Sequence, residues 1–455
     1  MGNCAFLLSK SYLVHAHFIK NEKGRKTLKQ DKTPTLKLLN KNFIALILVR
    51  AFALLGYYLL NFALPIYILY ATGSPILFGG VSALALLPMI LLSPIGGLVA
   101  DRANKKKMIA ILQLANAVLI FLFIWMSGIL STIPMVIILM LGIGGLDGLV
   151  SPAIESGMPQ IVPEAQIVRG SGVMSFMGQV PELIAPIIAG ALLANVGLQP
   201  IVIISGISYV LAAIMGAVVK IPHVKQSTSG GIAATVKADL RVTIRFLRHE
   251  NRQMLRVSLA LAALGLVMFP IIPVGMPILL YTNLGFSSEM LGFALGGAVG
   301  IGGIISGLLA SAVGDKLKMK DCPKLALLEC VLLLPISLVF LLNLAPMVSF
   351  FIIVISVMLI MITASLLMVR FFGYIQVVTP EGIMGKVLSV IGVFAMWTHP
   401  LGAFLYGLLL TEFGGAPWVV IFLAAALSFG ITLYMAKQFR QIEVAPTEKA
   451  GNPIE

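Results

Sequence analysis

The chain has 455 residues, 59% of them hydrophobic and 11% charged, with 32 Lys+Arg against 18 Asp+Glu and a mean hydropathy of +1.02. Soluble proteins are about 45–50% apolar and about 25% charged, so this composition excludes an ordinary soluble enzyme and a disordered chain. A bilayer-spanning helix takes roughly 20 residues, so twelve spans use about 240 to 300 and leave no room for a large soluble domain.

Residues 1–41 are polar and basic, with nine Lys+Arg against Glu22 and Asp31, and read as a cytosolic tail. Lys10 interrupts the first apolar run, which makes a poor signal peptide. Phe6 stands where myristoylation needs Ser or Thr. Twelve apolar runs follow, at 43–70, 75–100, 107–127, 132–153, 168–194, 198–219, 254–281, 288–313, 324–343, 346–372, 383–410 and 416–436. They are too long for strands, and only helices and closed barrels satisfy the backbone in lipid. The chain therefore reads as an all-α integral membrane protein of 12 transmembrane helices.

The charges orient it. The loops at 71–75, 127–134, 195–200, 282–289, 343–346 and 411–417 contain no Lys or Arg, and the basic residues collect in the opposite loops and the tails. The positive-inside rule places both termini, and the connection after span 6, in the cytoplasm of a multi-pass cell-membrane protein. That connection, 220–253, joins a bundle at 42–219 to one at 254–437, and a second tail covers 438–455. Arg241, Arg245, Arg248, Arg252 and Arg256 recur at helical spacing there, with Leu240, Ile244, Phe246 and Leu247 between them. The pattern fits an amphipathic helix on anionic membrane lipids or a solvated charged linker.

The halves repeat. Pro163-Glu164 matches Pro380-Glu381, Arg169 matches Lys386, and Gly190 to Gly197 matches Gly407 to Gly414, each 217 positions apart. Asp101-Arg102 matches Asp315-Lys316 at 214. Parallel repeats of six spans are the architecture of a rocking-bundle transporter. The expected fold is two pseudo-symmetric six-helix bundles.

Ionisable groups in hydrocarbon are costly and need a reason. Glu182 in span 5 and Asp147 in span 4 sit deepest, while Glu155 and Glu329 lie nearer the cytoplasmic ends. A carboxyl removed from water binds its proton more tightly, and alternate binding of a proton and a cationic substrate is the simplest antiport device. The alternatives are a structural hydrogen bond for Glu182 and, among Gly144, Gly145 and Gly148, a bond to backbone for Asp147. His399 is the repeat counterpart of Glu182, 217 positions on, and can share the proton task. Arg50 and Arg370 either snorkel to the interface or bind an anion. Tyr57, Tyr58, Asn61 and Phe62 make span 1 aromatic and amphipathic, and Met276, Met361, Met368 and Met396 offer adaptable apolar wall, suited to a large apolar substrate. Gly292, Gly296, Gly300, Gly303 and Gly307 lie along one face of span 8, where small residues permit close helix approach. Cys4, Cys322 and Cys330 form no disulfide framework, and no Walker lysine, HExxH or GxSxG is present. No cofactor, metal or nucleic-acid partner is expected, nor enzymatic activity.

The loop Gly96-Gly97-Leu98-Val99-Ala100-Asp101-Arg102-Ala103-Asn104-Lys105-Lys106-Lys107 resembles the signature loop G-x-x-x-D-R-x-G-R-K-K of the major facilitator superfamily, with Asn104 in place of the usual Gly. Gly314-Asp315-Lys316 resembles its degenerate second copy. Within the superfamily the chain is similar to the drug-exporter branch that includes macrolide-efflux proteins, through Thr72-Gly73-Ser74, Val162 to Gln166, Lys220-Ile221-Pro222 and Gly385-Lys386-Val387. Siderophore exporters and lysophospholipid flippases share these features. The sequence departs from relatives at Ile143, where an Arg is frequent, at Gly56-Tyr57-Tyr58, where many carry an acid, and at Ala185, where a Gly is usual. The resemblance implies a monomeric exporter of amphiphilic small molecules, driven by proton antiport. It also implies a conformational gate at Gly97, Asp101, Arg102 and Asp315, in which Asp101 docks against the amino-terminal end of span 11. The remote alternative is a non-transporting membrane receptor.

Overall fold

The computed structural model describes residues 40–127, 129, 131–163, 166–222, 241–313, 317–380 and 383–444. Every regular element among them is helical. Twelve helices are long and apolar enough to cross a membrane. They are α1 (Lys41–Thr72), α2 (Pro75–Arg102), α3 (Lys105–Met126), α4 (Thr132–Gly157), α5 (Ile167–Asn195) and α6 (Leu198–Val218), followed by α7 (Arg252–Asn283), α8 (Ser288–Ala310), α9 (Cys322–Leu341), α10 (Pro346–Val378), α11 (Met384–Glu412) and α12 (Pro417–Val444).

Local chemistry sets the starts. Ser74 accepts from Leu77 N–H at 3.4 Å and Asn251 from Met254 N–H at 3.0 Å, each serving a backbone donor that has no partner inside the helix. Asn104, the departure from the signature loop, accepts from Lys107 N–H at 3.2 Å and so caps α3. Pro75, Pro346 and Pro417 occupy first helical positions, where no N–H is needed. Gly73 and Gly285, 212 positions apart in equivalent turns after α1 and α7, have φ of 62° and 71°, a conformation glycine adopts without strain.

Helices α1–α6 pack with one another and α7–α12 with one another, and the halves meet along two seams, α2 against α11 and α5 against α8. These seams are the same contact made twice. A Cβ on Gly407 would lie 2.8 Å from the Pro75 carbonyl and 2.9 Å from Gly79 Cα; one on Gly190 would lie 3.0 Å from Gly292 Cα and against the Ser288 carbonyl. Gly190 and Gly407 are repeat counterparts, as are Gly79 and Gly292. Both crossings sit near the helix ends that adjoin the loops without Lys or Arg. At the same end Tyr70 and Tyr281, from α1 and α7, contact each other with ring centroids 4.2 Å apart.

The glycine face of α8 continues the α5 seam. Cβ atoms on Gly296, Gly300 and Gly303 would meet Ile187, Leu183 and Gln179 at 2.7, 2.5 and 2.6 Å, whereas Gly307 has open space beside it. The expectation of close approach along that face holds for four of the five glycines.

Two readings of the sequence require adjustment. Span 7 is not one regular helix. It breaks at Phe269–Val274, where Pro270 and Pro273 remove backbone donors, and winds more loosely over Leu279–Asn283. The segment 241–250 is helical and amphipathic, with Arg241, Arg245 and Arg248 exposed. Its Phe246 and Leu247 are buried in the core of the C-terminal half, so these two apolar residues face protein rather than lipid. Residues 1–39, 223–240 (Leu240 among them) and 445–455, Asp315 and the Glu164 and Glu381 of the repeat lie outside the described residues.

Candidate functional site

Between the halves lies a cavity of about 200 Å³. The N-terminal half contributes Tyr58, Asn61 and Phe62 from α1, Phe78 and Ser82 from α2, and Glu182 and Pro186 from α5. The C-terminal half contributes Phe269, Ile272, Pro273, Val274 and Pro277 from the broken stretch of α7, Leu295 and Val299 from α8, and His399 and Ala403 from α11. The walls are thus apolar with a few polar groups, the composition of a small-molecule site. Pockets for drug-sized ligands span about 300–1,000 Å³, so a cargo of that size requires a wider cavity than this conformation provides.

Glu182 and His399, at equivalent places in the two halves, line this one cavity. Tyr58 lies beside the Glu182 carboxylate on this wall. His399 stacks on Phe269, with centroids 3.7 Å apart and planes inclined by 9°. Opposite α7, the Tyr406 hydroxyl donates to the Val267 carbonyl at 2.9 Å, and Gly402 lets α11 lie directly on Leu266 and Pro270 at the break. The broken helix is therefore held from one side while its other side forms cavity wall.

Asp147 is elsewhere. It lies inside the N-terminal half, where Asn116 Nδ2 donates to Oδ1 at 2.9 Å and the Tyr209 hydroxyl donates to Oδ2 at 2.7 Å. Its partners are thus side chains of α3 and α6, not backbone. Gly56 makes this possible: a Cβ there would lie 2.9 Å from the Tyr209 ring, so the missing side chain lets the phenol cross α1. The carboxylate faces a second cavity of about 120 Å³, lined also by Arg50, Tyr57, Tyr58, Met89, Gln113 and Ser151. Tyr57 belongs to this cavity and not to the central one; its hydroxyl points to Met89 Sδ at 3.9 Å.

The arginines part company. Arg50 lines the second cavity and pairs with Glu155 at 3.5 Å, and that carboxylate is 63% exposed. Arg370, on α10, is half-buried and lines neither cavity. The methionines contribute less wall than expected. Met276 is buried in the core, Met361 and Met368 pack against it, and Met396 is exposed.

At the gate loop, Asp101 is exposed and makes no hydrogen bond to a described residue. Lys105 instead ties the loop to its own half, its Nζ donating to the Ser156 carbonyl at 3.1 Å. Gly97 has ordinary space around it, with Pro152 Cβ 3.8 Å from an added Cβ. Its neighbour Gly96 carries the tight contact, since a Cβ there would be 2.5 Å from the Leu149 carbonyl.

Sequence reasoning missed Asn116, Tyr209, Gln113 and the α7 wall. Pro270, Pro273 and Pro277 were a usable signal for the last, since proline-interrupted spans are where transporter cavities form. Asn116 and Gln113, an amide pair on one helix of an otherwise apolar span, were the signal for the Asp147 cluster.

The model of the Major Facilitator Superfamily matches residues 46–397. Macrolide efflux protein A of Streptococcus pyogenes is 24% identical over 425 residues, covering 87% of this chain and 96% of that protein. Among solved structures, a POT family transporter in complex with 5-aminolevulinic acid superposes with a TM-score of 0.70 at 15% identity, over 88% of this chain and 96% of that one. A bacterial homologue of the iron transporter ferroportin in an inward-facing state gives 0.68 at 16% identity, over 88% and 99%. These structural likenesses carry the fold, and the family model carries the membership. The chain is a twelve-span transporter that belongs to the major facilitator superfamily.

Proposed function

We propose that this transporter is a secondary active exporter of amphiphilic small molecules, driven by proton antiport, in the cell membrane of a bacterium. The observation that carries the reading is the pairing of Glu182 and His399 across one apolar cavity between the repeats. A carboxylate there holds either a proton or a cationic cargo, and the surrounding aromatic and aliphatic wall accepts an apolar body. The similarity to a macrolide efflux protein supports the direction of transport and the class of cargo.

The positive-inside rule orients the molecule with both termini in the cytoplasm, which puts the glycine seams at the outer face. The seams then close the halves outside, and Asp101, exposed and without a hydrogen bond to a described residue, fits an inward-facing state. Rocking about the cavity gives the opposite state. The anionic-cargo reading, siderophore or lysophospholipid, needs a cation at the cavity, and neither Arg50 nor Arg370 lines it.

The test is accumulation of macrolides, cationic dyes and lysophospholipids in an efflux-deficient host, with and without a protonophore. Lowered accumulation of a drug, restored by the protonophore, is the expected result, and Glu182→Gln abolishes it while the protein stays in the membrane. Normal proton-driven efflux by Glu182→Gln would overturn the assignment. Protonophore-insensitive movement of lysophospholipid alone would favour a flippase.

A further inference from the structure

The second cavity is an unusual place for polar atoms. Gln113 is fully buried, faces it, and has neither its Nε2 nor its Oε1 hydrogen-bonded to a described residue. Arg50 Nε, on the opposite wall, is likewise without a hydrogen-bond partner among the described residues. Ser151 and the Asp147 carboxylate are further polar groups on its wall. An unsatisfied buried polar group costs about 1–3 kcal/mol, and buried polar groups are met by protein or by ordered water in nearly every case. The wall between these polar groups is largely apolar, and a cavity of about 120 Å³ has room for water beside them, since one water needs roughly 10–15 Å³ of such volume.

We propose that the N-terminal half contains a hydrated chamber, distinct from the central cavity, through which Asp147 exchanges protons with the side of the membrane that carries the Lys and Arg. Its mouth is the Arg50–Glu155 pair, whose carboxylate is already 63% exposed; such a half-exposed pair is worth only about 0–1 kcal/mol and opens readily. Its inner wall is Tyr58, which lines both cavities and shares the central one with Glu182. The titratable groups facing Asp147 are Tyr57 on α1, Tyr209 on α6 and, across the chamber, Arg50. The two carboxylates thus meet two separate bodies of water. Cargo occupying the central cavity would leave the exchange at Asp147 open. The part of the chamber in coupling rests on the antiport reading; its hydration does not.

The test is hydroxyl-radical labelling of the full chain in lipid nanodiscs by X-ray radiolysis in ¹⁸O-water. Radicals born from bound water label the side chains beside it, so Met89 and Tyr57 take label, while Met254 and Met276, at 0% and 1% exposure in the apolar core, do not. Gln113→Leu removes the polar anchor and Ala53→Leu fills the chamber from α1; each is expected to cut labelling of Met89 about tenfold, as a dried cavity must. Exposed Tyr434 serves as the reference in both. Met89 labelled no faster than Met276, or label at Met89 unchanged in both variants, would overturn the proposal. A dry chamber in a protein that still exports against a protonophore-sensitive gradient would sink this inference alone. A hydrated chamber in a protein with no proton-coupled transport would sink the functional reading and leave the chamber.

Discussion

In the N-terminal half a carboxylate, an amide and a phenol converge at Asp147, Asn116 and Tyr209. Alignment of the helix starts, with span 9 counted from Met319, puts Met361, Cys330 and Ser428 at the matching places of the C-terminal half. There the polar contact that survives is Cys330 with Thr432, at 3.5 Å, and Ser428 Oγ is buried without a partner among the described residues. Glu329, next to Cys330, is 1% exposed and its Oε1 is also unpartnered among them. One repeat ties its polar groups into a hydrogen-bonded cluster beside a cavity, while the other carries weaker or neutral groups at the matching places. The difference teaches that the repeat preserves helix crossings, not chemistry. The crossings recur at Gly79, Gly190, Gly292 and Gly407, whereas the ionisable groups are distributed unevenly, with Glu182 and His399 lining the central cavity from the two halves.

The comparison breaks most sharply at Asp147. Asp147→Ala deprives two buried donors of their acceptor, each costing about 1–3 kcal/mol, and is expected to lower thermal stability in detergent severely. Asp147→Asn retains shape and one acceptor and should fall between that variant and the parent. A melt for Asp147→Ala within a degree or two of the parent would show that the cluster does not hold the half together.

The seams come next. Gly292→Val places a side chain against the Pro186 carbonyl, and overpacking of this kind costs about 1–3 kcal/mol. Gly307→Val, on the same helix face but with open space beside it, should be close to neutral. Equal effects from the two would deny that α5 and α8 meet where described. Glu329→Leu should be the mildest of the carboxyl replacements: it removes a group with no partner among the described residues, so stability should move by less than about 1 kcal/mol or rise. A loss like that of Asp147→Ala would reveal a polar partner for Glu329 and erase the asymmetry between the halves.

Much of this was legible in the sequence because lipid makes the rules few. Twelve apolar runs, the charge-poor loops and the 217-residue offset led directly to two bundles, and the glycines of span 8 to a close seam. That Glu182 and His399 stand at equivalent places in the two halves followed from the repeat; that both line one cavity came from the structure. What stayed hidden depended on rotation about helix axes, which an all-apolar helix does not encode. Tyr57 and Tyr58 are adjacent in sequence and share the second cavity, yet Tyr58 also reaches the central one and Tyr57 does not, because successive residues point about 100° apart. Asp147 could not be matched to Asn116 and Tyr209 because those partners lie 31 and 62 residues away, on different helices. The α7 break was written in its prolines but masked by uninterrupted hydrophobicity.

The two glycine crossings bring backbone against backbone, with one side-chain bond among them, from the Ser288 hydroxyl to the Gly190 carbonyl at 3.1 Å. Contacts of that kind rest mainly on dispersion and on weak Cα–H···O interactions of about a kilocalorie each, so they act as bearings rather than latches. A bearing has no opinion about what is being carried. Cavity residues such as Phe62, Phe269 or Ile272 can be exchanged for others without disturbing the pivot, and a lineage built on this frame can change its cargo while its mechanics stay the same.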